Sequence, residues 1–342
     1  MTVAALAGIK KPAEDSVTIN MTTQTPLYTG GIGQWGDQVH PSGLLGSIRS
    51  FSCLVARTLG FSKFEEAVWG KAGAGQDETH AKRVSLHWDV SGLAAIDLPP
   101  NLLKNESHEK RGWYFNQAQK GRRTLKLTRR GLSDLHWQVL LLALRIQIRH
   151  ATFGAKDQFG LGVLYCEKLP DVSPFDMNAR YRDPIGFNLQ RCAFGRLELE
   201  RKQRNLDDLE GEQAKALSIG LLCRMALRKS LRTESDDIEE ENKWKIIRHR
   251  MMGSLNECGS ATNVSSAYYP SHISTDIAEI RLFVQLRSDE GAERTEVMKR
   301  FNSAIKNMDL DGWFLKPQPF EFGGTFGKLN NPAAWLNKLA GL

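Results

Sequence analysis

The chain has 342 residues, 41% apolar and 25% charged, a balance that suits a folded globular protein of two domains and argues against disorder. A formal charge of +7 suits a phosphate-bearing partner, provided the basic residues cluster. Five widely spaced cysteines with no CxxC pair indicate neither a disulfide framework nor a zinc site. The opening MTVAALAGIKK lacks the form of a secretory signal, and the best apolar run, VLLLAL at 139–144, is far short of a membrane span; the expectation is a soluble, cytoplasmic protein without a membrane partner.

Val17, Ile19 and Met21 alternate as a strand that runs through Thr25, Pro26 and Leu27 into the glycine-rich TGGIGQWGD. In SGLLGSIRSFSCLVARTL, the residues Leu44, Leu45, Ile48, Phe51, Val55 and Leu59 recur at helical spacing, with Ser42 as the expected N-cap. Val84, Leu86, Trp88 and Val90 alternate as a strand, and the polar stretch 92–120 with its Pro99-Pro100 pair predicts a hairpin insertion or loop. Leu125 and Leu127 mark another strand. A helix over 133–149 carries Leu135, Val139, Leu142 and Ile146 on one face behind a Ser133 cap, the loop FGAKDQFGLG follows at 153–162, and LGVLYC reads as a last strand.

That order, β-α-β-β-α-β, is the ferredoxin-like arrangement of two helices on an antiparallel sheet. A fainter copy follows. Leu197 and Leu199 suggest a strand, 206–231 a helix, Ile280 to Leu286 a strand, and Val297, Phe301 and Ile305 a helix, before the glycine-rich FEFGGTFGKLN. The fold class expected is α+β, two ferredoxin-like (RRM-like) domains in tandem over 1–170 and 171–342, with the acidic run 234–241 as a solvated insertion or exposed helix end.

No GxxxxGK[ST], HExxH or GxSxG is present, nor a GxGxxG at a strand-to-helix turn with the acid beyond it that a dinucleotide site needs, so the familiar nucleotide, zinc-protease and hydrolase sites are not indicated, and neither a metal nor a cofactor is expected. Basic residues do cluster. KGRRTLKLTRRG supplies Arg122 and Arg123 with Lys120 and Lys126, and the next helix adds Arg145 and Arg149 before the glycine loop with Lys156, a set suited to tracking phosphates. Tyr165 offers a stacking surface.

TPLYTGG at 25–31, HPSGLLGSIRSFSCLVARTL at 40–59 and FGAKDQFGLGVL at 153–164, in that order, resemble the RAMP superfamily of type III CRISPR effector proteins, and within it the family of first subunits of type III-B Cmr complexes. The resemblance covers the first half well; Phe51 stands alone where the family often has an aromatic pair, and the second half matches only in element order and in GGTFGKLN. It implies an RNA-binding, non-catalytic capping subunit whose partners are guide RNA, target RNA and the other subunits of the complex. Arg49, Gly154, Lys156, Gln158, Gly160 and Gly162 would then lie against RNA, the glycines admitting the phosphate backbone. Two alternatives stay open: a RAMP-type endoribonuclease using Asp37 and His40 in GQWGDQVHP, where Asp37 reads equally well as a turn residue, and a scaffold that makes no RNA contact.

Overall fold

The computed structural model describes residues 15–29, 38–71, 81–97, 117–155, 160–176, 183–202, 220, 222–232, 237–252, 262–269, 275–285, 291–308, 314–315 and 331–342. Strand β1 (Ser16–Thr23) leads to helix α1 (Pro41–Thr58) and the short α2 (Phe64–Trp69). There follow β2 (Val84–Asp89), β3 (Leu93–Asp97), β4 (Gln117–Arg129), α3 (Asp134–His150) and β5 (Leu164–Tyr165). These strands form one antiparallel sheet in the order β2-β4-β1-β5, with β3 paired to the first part of β4 as the base of the expected hairpin. Residues 98–116 lie outside the described part of the chain.

The second half repeats the plan. β6 (Cys192–Lys202) precedes helix α4 (222–230) and α5 (Ile238–Met252), then β7 (Thr262–Tyr269), β8 (Thr275–Gln285), α6 (Gly291–Lys306) and β9 (Phe314–Leu315). Its strands stand in the order β7-β8-β6-β9. Each half therefore places its first strand between its third and its fourth, with antiparallel pairing throughout, which is the ferredoxin-like topology met twice.

Alternation decides which side of the first sheet is dry. Ile19 and Met21 of β1, Val84 and Trp88 of β2, and Leu125 and Leu127 of β4 are buried beneath α1 and α3, with Leu44, Ile48, Val139 and Leu142 packed against them. The helices begin as their caps dictate: the Ser133 hydroxyl accepts from the His136 amide at the start of α3. The N-cap of α1 is His40 rather than Ser42, because Pro41 takes the first helical position, where its missing N–H costs nothing. The acidic run enters the first turn of α5, where Glu239, Glu240 and Glu241 are exposed and face the positive end of the helix dipole. The expected helix over 206–231 is described at 220 and 222–230, and FEFGGTFGKLN lies outside the described residues.

A last helix, α7 (Pro332–Ala340), is capped by the Asn331 side chain. Its Ala333, Leu336, Leu339 and Ala340 enter the first core, although the division of the sequence near 170 assigns them to the second half. Asn337 locks it there, accepting from the Phe175 amide at 3.0 Å and donating to the Phe175 carbonyl at 2.9 Å. Leu197, Leu199, Trp244, Ile280, Leu282 and Phe301 belong to a second apolar cluster around the second sheet.

Candidate nucleic-acid interface

Successive residues of a strand point to opposite faces, and β4 carries its basic residues accordingly. Arg122 and Lys126 are exposed on the face away from the helices, with Thr124 and Thr128 between and beside them at the same parity. Register sets Thr18, Asn20 and Thr22 of β1 opposite Lys126, Thr124 and Arg122, and His87 of β2 opposite Lys126 on the other side. The Thr124 hydroxyl donates to Asn20 Oδ1 at 2.9 Å. Tyr165 on β5 pairs with Thr22, so Arg122, Thr22 and Tyr165 form one row across three strands.

A cleft of about 1010 Å³ runs along β1, lined by Asn20, Thr22, Arg122, Tyr165 and Lys168 and also by Trp137, Gln138, Leu141 and Arg145 of α3. Asp89, Glu167 and Asp171 also line it, so the cleft carries both signs while the stripe on β4 is basic. Hydrogen bonds from the Ser91 hydroxyl and amide hold the Asp89 carboxyl below its usual range.

The other basic residues read from the sequence take other positions, although Arg123 and Arg145 also line the cleft. Arg123 cannot join Arg122, since one step along a strand turns it to the helix side. It is 3% exposed, its guanidinium stands 5.1 Å from the Trp88 ring, none of its three nitrogens has a hydrogen-bond partner, and burial pushes its pKa down to about 9. Arg49, on α1, donates to Glu65 at 2.8 and 3.1 Å, and Glu65 is shared with Arg57. Arg145 donates to the carbonyls of Ala340, Pro170 and Gly341, and Arg149 to that of Leu339, so both fasten α7 to α3.

The glycine loop closes on its own chain. Gly154, Gly160 and Gly162 all have positive φ, and a Cβ on Gly154 would lie 2.4 Å from the Tyr28 carbonyl, one on Gly162 2.0 Å from that of Phe153. Backbone bonds from Ala155 to Tyr28 and from Gly162 to Pro26 explain the approach: the loop ends clamp the Thr25–Tyr28 segment. At Gly154 and Gly162 this close approach of the chain to itself requires glycine. Lys156, Gln158 and Asp37 lie outside the described residues, and the His40 amide donates to the Thr29 hydroxyl as α1 begins.

Thr18, Asn20, Thr22 and Lys168 were not singled out in the sequence. The polar half of the β1 alternation, Thr18-Asn20-Thr22, was the available signal, since a strand apolar on one parity shows the other to solvent or a ligand. Among the described residues no group of three or more His, Cys, Asp or Glu could hold a metal ion, and no helix is long and apolar enough to cross a membrane.

Fold and site define an α+β protein of two tandem ferredoxin-like units, the first showing a basic, open sheet face. Solved structures similar to it include Cmr1 from Pyrococcus furiosus, 11% identical, covering 88% of this chain and 94% of that one with a TM-score of 0.44. Two others are chains of the type III-B Cmr-beta complex. One, bound to cognate target RNA, is 10% identical with coverage of 85% and 100% and a TM-score of 0.47; the other, bound also to AMPPnP in the presence of ssDNA, is 10% identical with coverage of 86% and 100% and a TM-score of 0.46. No protein-family model and no curated protein matches the chain.

Proposed function

We propose that the chain is a non-catalytic, RNA-binding subunit of a type III-B CRISPR effector complex, contacting guide and target RNA at one end of the assembly. The observation that carries this reading is the pair of exposed cations Arg122 and Lys126 on the open face of the first sheet, bordered by hydroxyl and amide side chains and an exposed tyrosine. Such a face meets single-stranded nucleic acid through phosphate contacts and stacking, and base pairing between guide and target supplies the sequence specificity. The three motifs in RAMP order in the first half support the choice of family.

The test is charge reversal on that face. Arg122→Glu with Lys126→Glu lowers affinity for single-stranded RNA by tenfold or more. Loss of two phosphate contacts also reduces the slope of log affinity against log salt by about 1.4. Both side chains are exposed, so the melting temperature stays as in the parent chain. Unchanged affinity in the double variant would overturn the reading.

A further inference from the structure

Neighbouring strands stand about 4.8 Å apart, so the paired residues Arg122, Thr22 and Tyr165 span about 10 Å across β4, β1 and β5. Over that distance the face offers an exposed guanidinium, then a hydroxyl, then a phenol ring that is 44% exposed. None of the three side chains has a hydrogen-bond or ion-pair partner among the described residues. Lys168 lines the same cleft as these three residues.

We infer that this row seats one nucleotide of single-stranded RNA, with the phosphate on Arg122, the ribose over Thr22 and the base stacked on Tyr165, and that Thr22 distinguishes RNA from DNA through the 2′-hydroxyl. The inference rests on the RNA-binding reading of this face and adds the choice of sugar. A guanidinium forks onto phosphate oxygens, and a tyrosine ring accepts any base by its π-face. Between them lies the ribose, whose 2′-hydroxyl both donates and accepts, as the Thr22 hydroxyl does, so the two can pair in either sense. Asn20, one place along the same face, spends its carbonyl on Thr124 and keeps its amide N–H groups for the same sugar or the next. A duplex presents no free base face to Tyr165, which restricts the ligand to single strands.

The experiment uses the full chain and fluorescent short oligouridine RNA beside the matching deoxyuridine and 2′-O-methyl strands, at one low salt concentration. The unaltered protein binds the ribose strand several-fold tighter than the other two. Thr22→Val keeps the melting temperature, weakens ribose binding by about fivefold, the worth of one net hydrogen bond, and leaves deoxyribose binding unchanged. Tyr165→Ala weakens both by tenfold or more. Equal affinity of the unaltered protein for the two sugars, or an unchanged ratio in Thr22→Val, overturns the sugar choice while the RNA-binding reading stands. Failure to bind either strand overturns both. A Tyr165→Ala chain that binds RNA normally and no longer joins the complex assigns the face to a protein neighbour and overturns the nucleotide seat.

Discussion

One step along β4, from Arg122 to Arg123, takes a guanidinium from solvent to the interior, and the two residues should answer mutation in opposite ways. Arg122→Ala removes an exposed phosphate donor; RNA affinity should fall by about 1 kcal/mol with the urea midpoint unmoved. Arg123 has no counter-charge among the described residues and only the Trp88 ring as company. Burying a charge without a partner costs more than packing a methionine of similar length, so Arg123→Met should raise stability by about 1–3 kcal/mol and leave RNA binding alone. Urea unfolding of both variants beside RNA titration checks the pair, and a destabilised Arg123→Met would show that the cation has a use in the native interior. The sequence displayed both residues in one basic run. Period-two geometry was enough to separate them, but nothing in the run says which parity faces the helices until Leu125 and Leu127 are assigned to the core.

At the scale of elements, α7 engages the arginines of α3 that the sequence offered as phosphate donors. Arg145, Arg149 and His150 all reach its last carbonyls, as cations and donors at a helix C-terminus should. Arg145→Ala should therefore lower the melting temperature and leave the salt slope of RNA binding unchanged, since the slope counts phosphate contacts. His150 adds a pH dependence. Burial first, then the neighbouring Arg196, Arg149 and Arg281, push its pKa down from 6.5 to about 4, against the opposing pull of its bond to Leu339. The unfolded chain thus binds the proton more readily, so the contribution is fully present above pH 6.5 and is lost as pH falls toward 4, by up to about 3 kcal/mol. His150→Gln, which keeps a donor and cannot titrate, should flatten stability over that window in urea unfolding; a slope that survives the substitution would place the titration elsewhere. Long periodic elements such as α1, β4, α3, β8 and α6 were legible because their packing is written in their spacing. The six residues of α2 and nine of α7 were not, being too short to show a period, and β7, TNVSSAYY, carries too few apolar residues to announce a strand. The site was legible as charge and as one aromatic, Tyr165. Its assembly was not, because the partner positions on β1 are set by register with a strand a hundred residues away.

Across the whole molecule, one buried charge cluster ties the second sheet to the first unit. Glu279 and Arg281 share β8, two places apart and so on one face, and Arg196 of β6 pairs with Arg281 in register and reaches the same carboxylate. Arg281 then donates to the carbonyls of Ile148 and Ala151 at the end of α3, at 2.7 and 3.2 Å, while the Phe51 and Phe283 rings meet 6.1 Å apart nearby. Burial alone would raise the Glu279 carboxyl; the Arg281 and Arg196 guanidinium groups outweigh it and hold the acid below its usual range. Glu279→Gln leaves two cations facing α3 without their counter-charge and should cost about 3 kcal/mol, whereas Arg281→Met removes the tie itself. Each sheet has its own apolar cluster, so losing the tie should uncouple the halves more than it unfolds either. Calorimetry of Arg281→Met should then show two transitions in place of one, with single-stranded RNA raising only the transition of the first unit, because the basic face lies on its sheet. A single transition that RNA shifts as a whole would mean that the apolar contact around Phe51 and Phe283 is enough to keep the halves cooperative.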